Sequence, residues 1–187
     1  MKNFAFLAYL SRRVSSFRRD RRGMSAVEFA MLLPLMVTLW LGCEEVSKAV
    51  AIQRKVTIAA RTVADLSSQV TSINNADMAN VLKSAEAILN PFPGGPLSVT
   101  LSAVDIDANG NAQVAWSDSR GGTAHGVGNA APIPDALKVA NTQVIWGEVG
   151  YSYKPTIGYV LTGGPYSLSD QIYMRPRLSD KVQRPNS

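Results

Sequence analysis

A single carboxylate, Glu28, stands inside an apolar run that begins at Met24 and ends at Cys43. One glycine, Gly23, separates that run from the basic stretch Arg18-Arg19-Asp20-Arg21-Arg22. An acid in a membrane-spanning helix costs on the order of 3 kcal/mol at mid-bilayer, less near an end, and calls for a partner. Two partners fit the position. From one turn inside the interface the side chain can reach lipid headgroups. Alternatively, a peptidase cut after Gly23 would give Met24 a new α-amine with a pKa of about 8, cationic at neutral pH. An amine at position one and a carboxylate at position five lie about one helical turn apart. They could pair within a subunit or between staggered neighbours, and the second case makes the acid a register mark for assembly.

The other residues able to do chemistry offer less. Cys43 is the only cysteine, so no internal disulfide and no cysteine-based zinc site can form. His125 is the only histidine, and its place in the glycine-rich stretch Gly121–Gly128 predicts an exposed loop residue. Asp105, Asp107, Asn109 and Gly110 match positions one, three, five and six of an EF-hand calcium loop. Position twelve is Trp116 where a bidentate Glu is needed, and strand patterns rather than helices flank the segment. An Asn-Gly hairpin turn explains the same residues, so neither a metal nor a cofactor is expected. No nucleophile, base and acid assemble into a catalytic set. The chain reads as a non-enzyme that is itself a peptidase substrate.

Charge points the same way. Residues 1–23 carry Lys2, Arg12, Arg13, Arg18, Arg19, Arg21 and Arg22 against Asp20, a net of +6, and the remaining residues sum to −1 within the whole-chain +5. The body therefore lacks the basic face that nucleic-acid binding requires, and no nucleic-acid partner is expected. A basic block flush against an apolar segment instead sets membrane orientation. Met24 to Cys43 is long enough, as a helix, to cross a hydrocarbon core of roughly 30 Å. Basic residues before it and Glu44-Glu45 after it predict a cytoplasmic N-terminus and an outward C-terminal body.

Three fates of the segment are open on this pattern. A secretory signal would end in a small-x-small cleavage site, and Leu41-Gly42-Cys43 gives no good one. A lipoprotein acylated at Cys43 fits Gly42 before the cysteine, although Trp40 stands where an aliphatic residue is usual. The third is a membrane anchor, uncleaved or trimmed only at its N-terminus, carrying a periplasmic domain. Pro34 lies within the segment and frees the Ala30 carbonyl, which predicts a helix kink there.

The run RRGMSAVEFAMLLPLM resembles a type IV prepilin processing site: basic leader, Gly23, four residues, Glu28, Phe29, apolar helix. It is similar to the TadE-like minor pilins, or pseudopilins, of the tight-adherence (Tad/Flp) pilus. The resemblance covers about residues 18–66, with a weaker echo in Glu148–Pro155 and Tyr173–Arg177. It implies that Gly23 is the last leader residue, Met24 the mature N-terminus, and Glu28, followed by Phe29, the acid needed for processing or assembly. Major type IV pilins typically carry Phe where this chain has Met24. The resemblance also implies a minor structural or assembly subunit of an adhesive pilus. Its partners would be a prepilin peptidase, other Tad pilins, the assembly platform proteins and inner-membrane lipid. The location implied is the bacterial inner membrane, single pass, with incorporation into an extracellular pilus.

Beyond the membrane segment, residues 44–90 contain no Gly or Pro. Ala49, Val56, Val63 and Val70 recur every seven residues, and so do Ile52, Ala59, Leu66 and Ile73. That a/d stripe predicts a stem helix from Met24 to about Ser72, laid on its own sheet or on sister helices. Asn74 or Asn75 caps a second helix whose apolar face is Met78, Val81, Leu82, Ala85, Ile88 and Leu89, stopped by Pro91 to Pro96. The period then changes to two over Leu97–Val104 and Ala112–Trp116. Further strands are expected at Thr142–Tyr153, Tyr159–Leu161 and Leu168–Met174, with a helical turn near Asp135 and a mobile tail from Lys181. The expected fold is α+β and pilin-like, a long helix leading into a mainly antiparallel sheet. Its parts would be a cytoplasmic leader 1–23, a transmembrane helix 24–43, a periplasmic helical stem with a second helix 44–90, and a β-rich domain 91–187 with a polar tail.

Overall fold

The computed structural model describes residues 22–93, 96–155 and 164–185. Most of the leader and the strand expected at Tyr159–Leu161 lie outside the described residues. The chain divides into two compact units, Met1–Glu44 and Glu45–Ser187.

The described residues of the first unit belong to helix α1 (Arg22–Ser68, 47 residues). Every residue from 23 to 40 is exposed. Among the described residues α1 is the one helix long and apolar enough to cross a membrane. The helix runs without a break through Pro34, where the Thr38 hydroxyl donates to the Pro34 carbonyl at 2.7 Å.

In the second unit, the rest of α1 and helix α2 (Asn75–Leu89) cover one face of a four-stranded antiparallel sheet. The strands are β1 (Leu97–Ile106), β2 (Ala112–Arg120), β3 (Thr142–Tyr153) and β4 (Tyr166–Met174), in the order β2-β1-β3-β4. The fold is α+β, as the change of period implies. Asn74 caps α2 through its side chain, which accepts from the Asp77 N–H at 2.9 Å. At the other end of α2 the Lys55 ammonium donates to the Ile88 and Asn90 carbonyls at 2.9 and 2.6 Å, satisfying orphan acceptors of the last turn.

The core under the helices joins Ile52, Val56 and Val63 of α1, Met78, Leu82 and Leu89 of α2, and Leu97, Val99, Leu101 and Ile145 of the sheet. Here the heptad reading needs correction. Leu66 is 41% exposed, while Ala60, Ala64, Ser67 and Ser68 are buried. A straight helix on its own sheet keeps a period of 3.6 rather than 3.5, so a strict heptad drifts about 20° per repeat and carries Leu66 out of the interface. Gly147 of β3 permits the close approach, since a Cβ there would lie 3.1 Å from the Ala64 Cβ and 3.2 Å from the Ala60 carbonyl oxygen.

A smaller core lies on the opposite face, at one end of the sheet, where Ala131 and Ile133 cover Val104, Ile106, Val114 and Val144. A β-bulge between Ala103 and Val104 in the β1–β2 register sends Trp116 into the helix-side core and Val114 into the smaller one. The expected tail is anchored rather than mobile. Val182 is 1% exposed, its N–H donates to the Gln143 side chain at 2.7 Å, and Arg184 forms two hydrogen bonds to Asp118 at 2.9 and 3.0 Å. That ion pair raises the Arg184 pKa above its ordinary value.

Candidate functional site

Gly23 and Met24 lie in the first turn of α1, and Glu28 follows one turn after Met24. A rise of about 1.5 Å per residue puts Glu28 roughly 6 Å along the axis from Met24, on the same helix face. Met24 is 59% and Phe29 58% exposed, and Glu28 is exposed beside them. A Cβ built on Gly23 meets nothing within 4 Å, so packing among the described residues does not require the glycine. No described side chain pairs with Glu28. Cys43 is exposed within the same helix.

The calcium-loop look-alike is occupied with other work. Asp107 accepts the N–H groups of Asn109 and Asn111, each at 2.8 Å, and the Asn111 side-chain amide at 2.7 Å. These bonds hold its pKa below the ordinary carboxylate value, the side-chain bond from Asn111 first among them. Asp105 accepts from Gln143 at 2.8 Å and from Lys181 at 2.6 Å. Asn109 serves the turn through its backbone, and Gly110 takes a φ of 84°. Among the described residues no three His, Cys, Asp or Glu side chains gather as a metal site.

His125 departs from its expected exposure. Its ring stacks on Trp146 with centroids 4.4 Å apart and planes 13° from parallel, and its Nε2 lies 2.5 Å from a Glu148 carboxylate oxygen. Trp146 stacks in turn on Tyr173 at 6.0 Å and donates from its indole N–H to Gln171 at 3.2 Å. Burial first, and the Glu148 charge second, push the Tyr173 phenol pKa up. The available signal was the alternation of β3, which puts Trp146 and Glu148 on one face; the glycines around His125 hid the fact that its loop folds back onto them.

Residues 23–40 of α1 are all exposed among the described residues, and an α+β body follows, an arrangement that suggests a membrane-anchored chain. Residues 23–65 match the family model described as TadE-like protein. No curated protein and no solved structure matches the chain. The family match supports a TadE-like protein of Tad pilus systems, and suggests membrane anchoring, association with other pilus components and a structural rather than enzymatic role.

Proposed function

We propose that the chain is a minor pilin-like subunit of a Tad-type adhesive pilus, cut after Gly23 by a prepilin peptidase and assembled through α1. The leader lies in the cytoplasm, residues 24–43 span the inner membrane, and the body from Glu44 onward is periplasmic until the subunit enters a fibre. The carrying observation is the placement of Glu28 one turn from Met24 on an exposed apolar helix, behind a glycine that packing does not require. Cleavage creates the cation that Glu28 lacks among the described residues, within the subunit or on a staggered neighbour. Pro34 adds a kink point where the Ala30 carbonyl loses its donor. Acylation at Cys43 would instead discard Met24 to Gly42, the part of the chain where the family match begins.

The test is the mass of the protein extracted from membranes. A chain starting at Met24 supports this reading. A diacylated start at Cys43 would make it a lipoprotein, and an intact Met1 start an uncleaved anchor. Gly23→Ala blocks trimming. Glu28→Ala stays in the membrane and lowers piliation, and normal piliation in that variant would refute the pairing.

A further inference from the structure

The sheet face turned away from α1 is covered at one end by Ala131 and Ile133, while its other end carries a polar groove of about 540 Å³. We propose that this groove binds a neutral saccharide. The strand register builds it in rows. Thr100 of β1 stands opposite Glu148 of β3, which stands opposite Gln171 of β4. In the next row on the same face, Ser98 stands opposite Gly150, and Gly150 opposite Ser169. Strands about 4.8 Å apart and same-face residues about 7 Å apart spread these polar groups over an area the size of one or two sugar rings. Gly150 has no side chain at the centre of its row, and the Ser98 hydroxyl leans over it, 2.7 Å from where a Cβ would stand.

The two long side chains in this grid are held in place. Glu148 gives one oxygen to His125, and the other has no partner among the described residues. Gln171 accepts the Trp146 indole N–H on its carbonyl oxygen, which leaves its amide nitrogen free to donate. A fixed acceptor beside a fixed donor suits adjacent sugar hydroxyls, each of which both donates and accepts. The Ser169 and Ser167 hydroxyls have no hydrogen-bond partner among the described residues, and the Ser98 and Thr100 bonds, both 3.3 Å, are long. One row further along stand Trp146 and Tyr173, whose stack with His125 closes that end. The lining includes the Glu148 carboxylate and no Lys or Arg, the Asp170 carboxylate being turned to the helix side where it accepts from Thr57, and this disfavours phosphates and acidic sugars. An apolar ligand would strand the hydroxyls without partners. The volume falls within the roughly 300–1,000 Å³ of small-molecule sites.

This inference does not depend on cleavage after Gly23. It is tested with the full-length chain in a detergent without a sugar headgroup, against an array of neutral di- and trisaccharides with uronic-acid counterparts. We expect saturable binding of a neutral saccharide and binding of its acidic counterpart weaker by about tenfold or more. Ser169→Arg and Gln171→Ala, both at exposed positions, each lower affinity by roughly tenfold at an unchanged unfolding midpoint. Failure of the folded chain to bind any neutral member of the array would overturn the proposal. So would equal binding of the acidic set, or unchanged affinity in both variants.

Discussion

Between Met24 and Trp40 every residue of α1 is exposed, whereas from Ile52 onward the same helix buries Ile52, Val56, Ala59, Ala60, Val63, Ala64, Ser67 and Ser68. The first stretch is apolar all round, and the second is apolar on one face only. A helix apolar on every side is stable where its surroundings are apolar on every side, in lipid or among other such helices. A one-sided helix needs only a sheet, and this chain supplies it. One element thus serves two environments, and the change falls near the end of the apolar run, where Glu44 and Glu45 stand.

The largest expected effect tests that division directly. Ile52→Ala removes a side chain 1% exposed in the main core and lowers the stability of the body by about 2–5 kcal/mol. Leu32→Ala, at a residue 55% exposed, leaves it unchanged within about 0.5 kcal/mol. Denaturant unfolding of the full chain in detergent, followed by the fluorescence of buried Trp116 and Trp146, measures both. Equal losses at the two positions would break the comparison, because the first stretch would then pack against the body.

Two glycines sharpen it at smaller scale. Gly147→Val forces a side chain against Ala64 and the Ala60 carbonyl and lowers stability by about 1–3 kcal/mol. Gly23→Val meets nothing within 4 Å and leaves the unfolding midpoint where it was, while altering the mass of the extracted protein by retaining the leader. A stability loss at Gly23 would mean that the glycine is there for packing, and the processing reading would lose its support.

What could be read in advance follows how local each signal is. The cap at Asn74, the face Met78-Leu82-Ala85-Leu89 and the strand Thr142–Tyr153 are patterns within one element, and the folded chain uses them as written. The Gly23–Glu28 spacing is local in the same sense. Leu66 misled because a heptad and a 3.6-residue period agree over two turns and part over four. Ala112 to Trp116 misled because a bulge, which leaves no reliable trace in the alternation, reversed the phase between Val114 and Trp116. Val182 and Arg184 looked like tail because their partners, Gln143 and Asp118, lie far away in the chain. The groove was beyond reach for the same reason. Alternation assigns Thr100, Glu148 and Gln171 to a face of their own strands, but only the strand order puts the three side by side.

The smallest expected effect contrasts two carboxylates, Glu28 without a partner among the described residues and Asp107 with three donors. Those donors depress the Asp107 pKa below its ordinary 3.8. A group whose pKa falls on folding binds its proton more weakly in the folded state. Its contribution is therefore complete above the unfolded value and fades as the pH drops through the folded one. We expect the Asn109 and Asn111 amide resonances to hold steady near neutral pH and to move in acid with a midpoint below 3.8. Amides around Leu39, bonded only within the helix ladder, stay still over that window. Asp107→Asn abolishes the transition and leaves the β1–β2 pairing in place, since that pairing rests on its own ladder. Movement of the same two amides on adding calcium at neutral pH would revive the metal reading of this loop, because the donors would then have to yield the carboxylate to an ion.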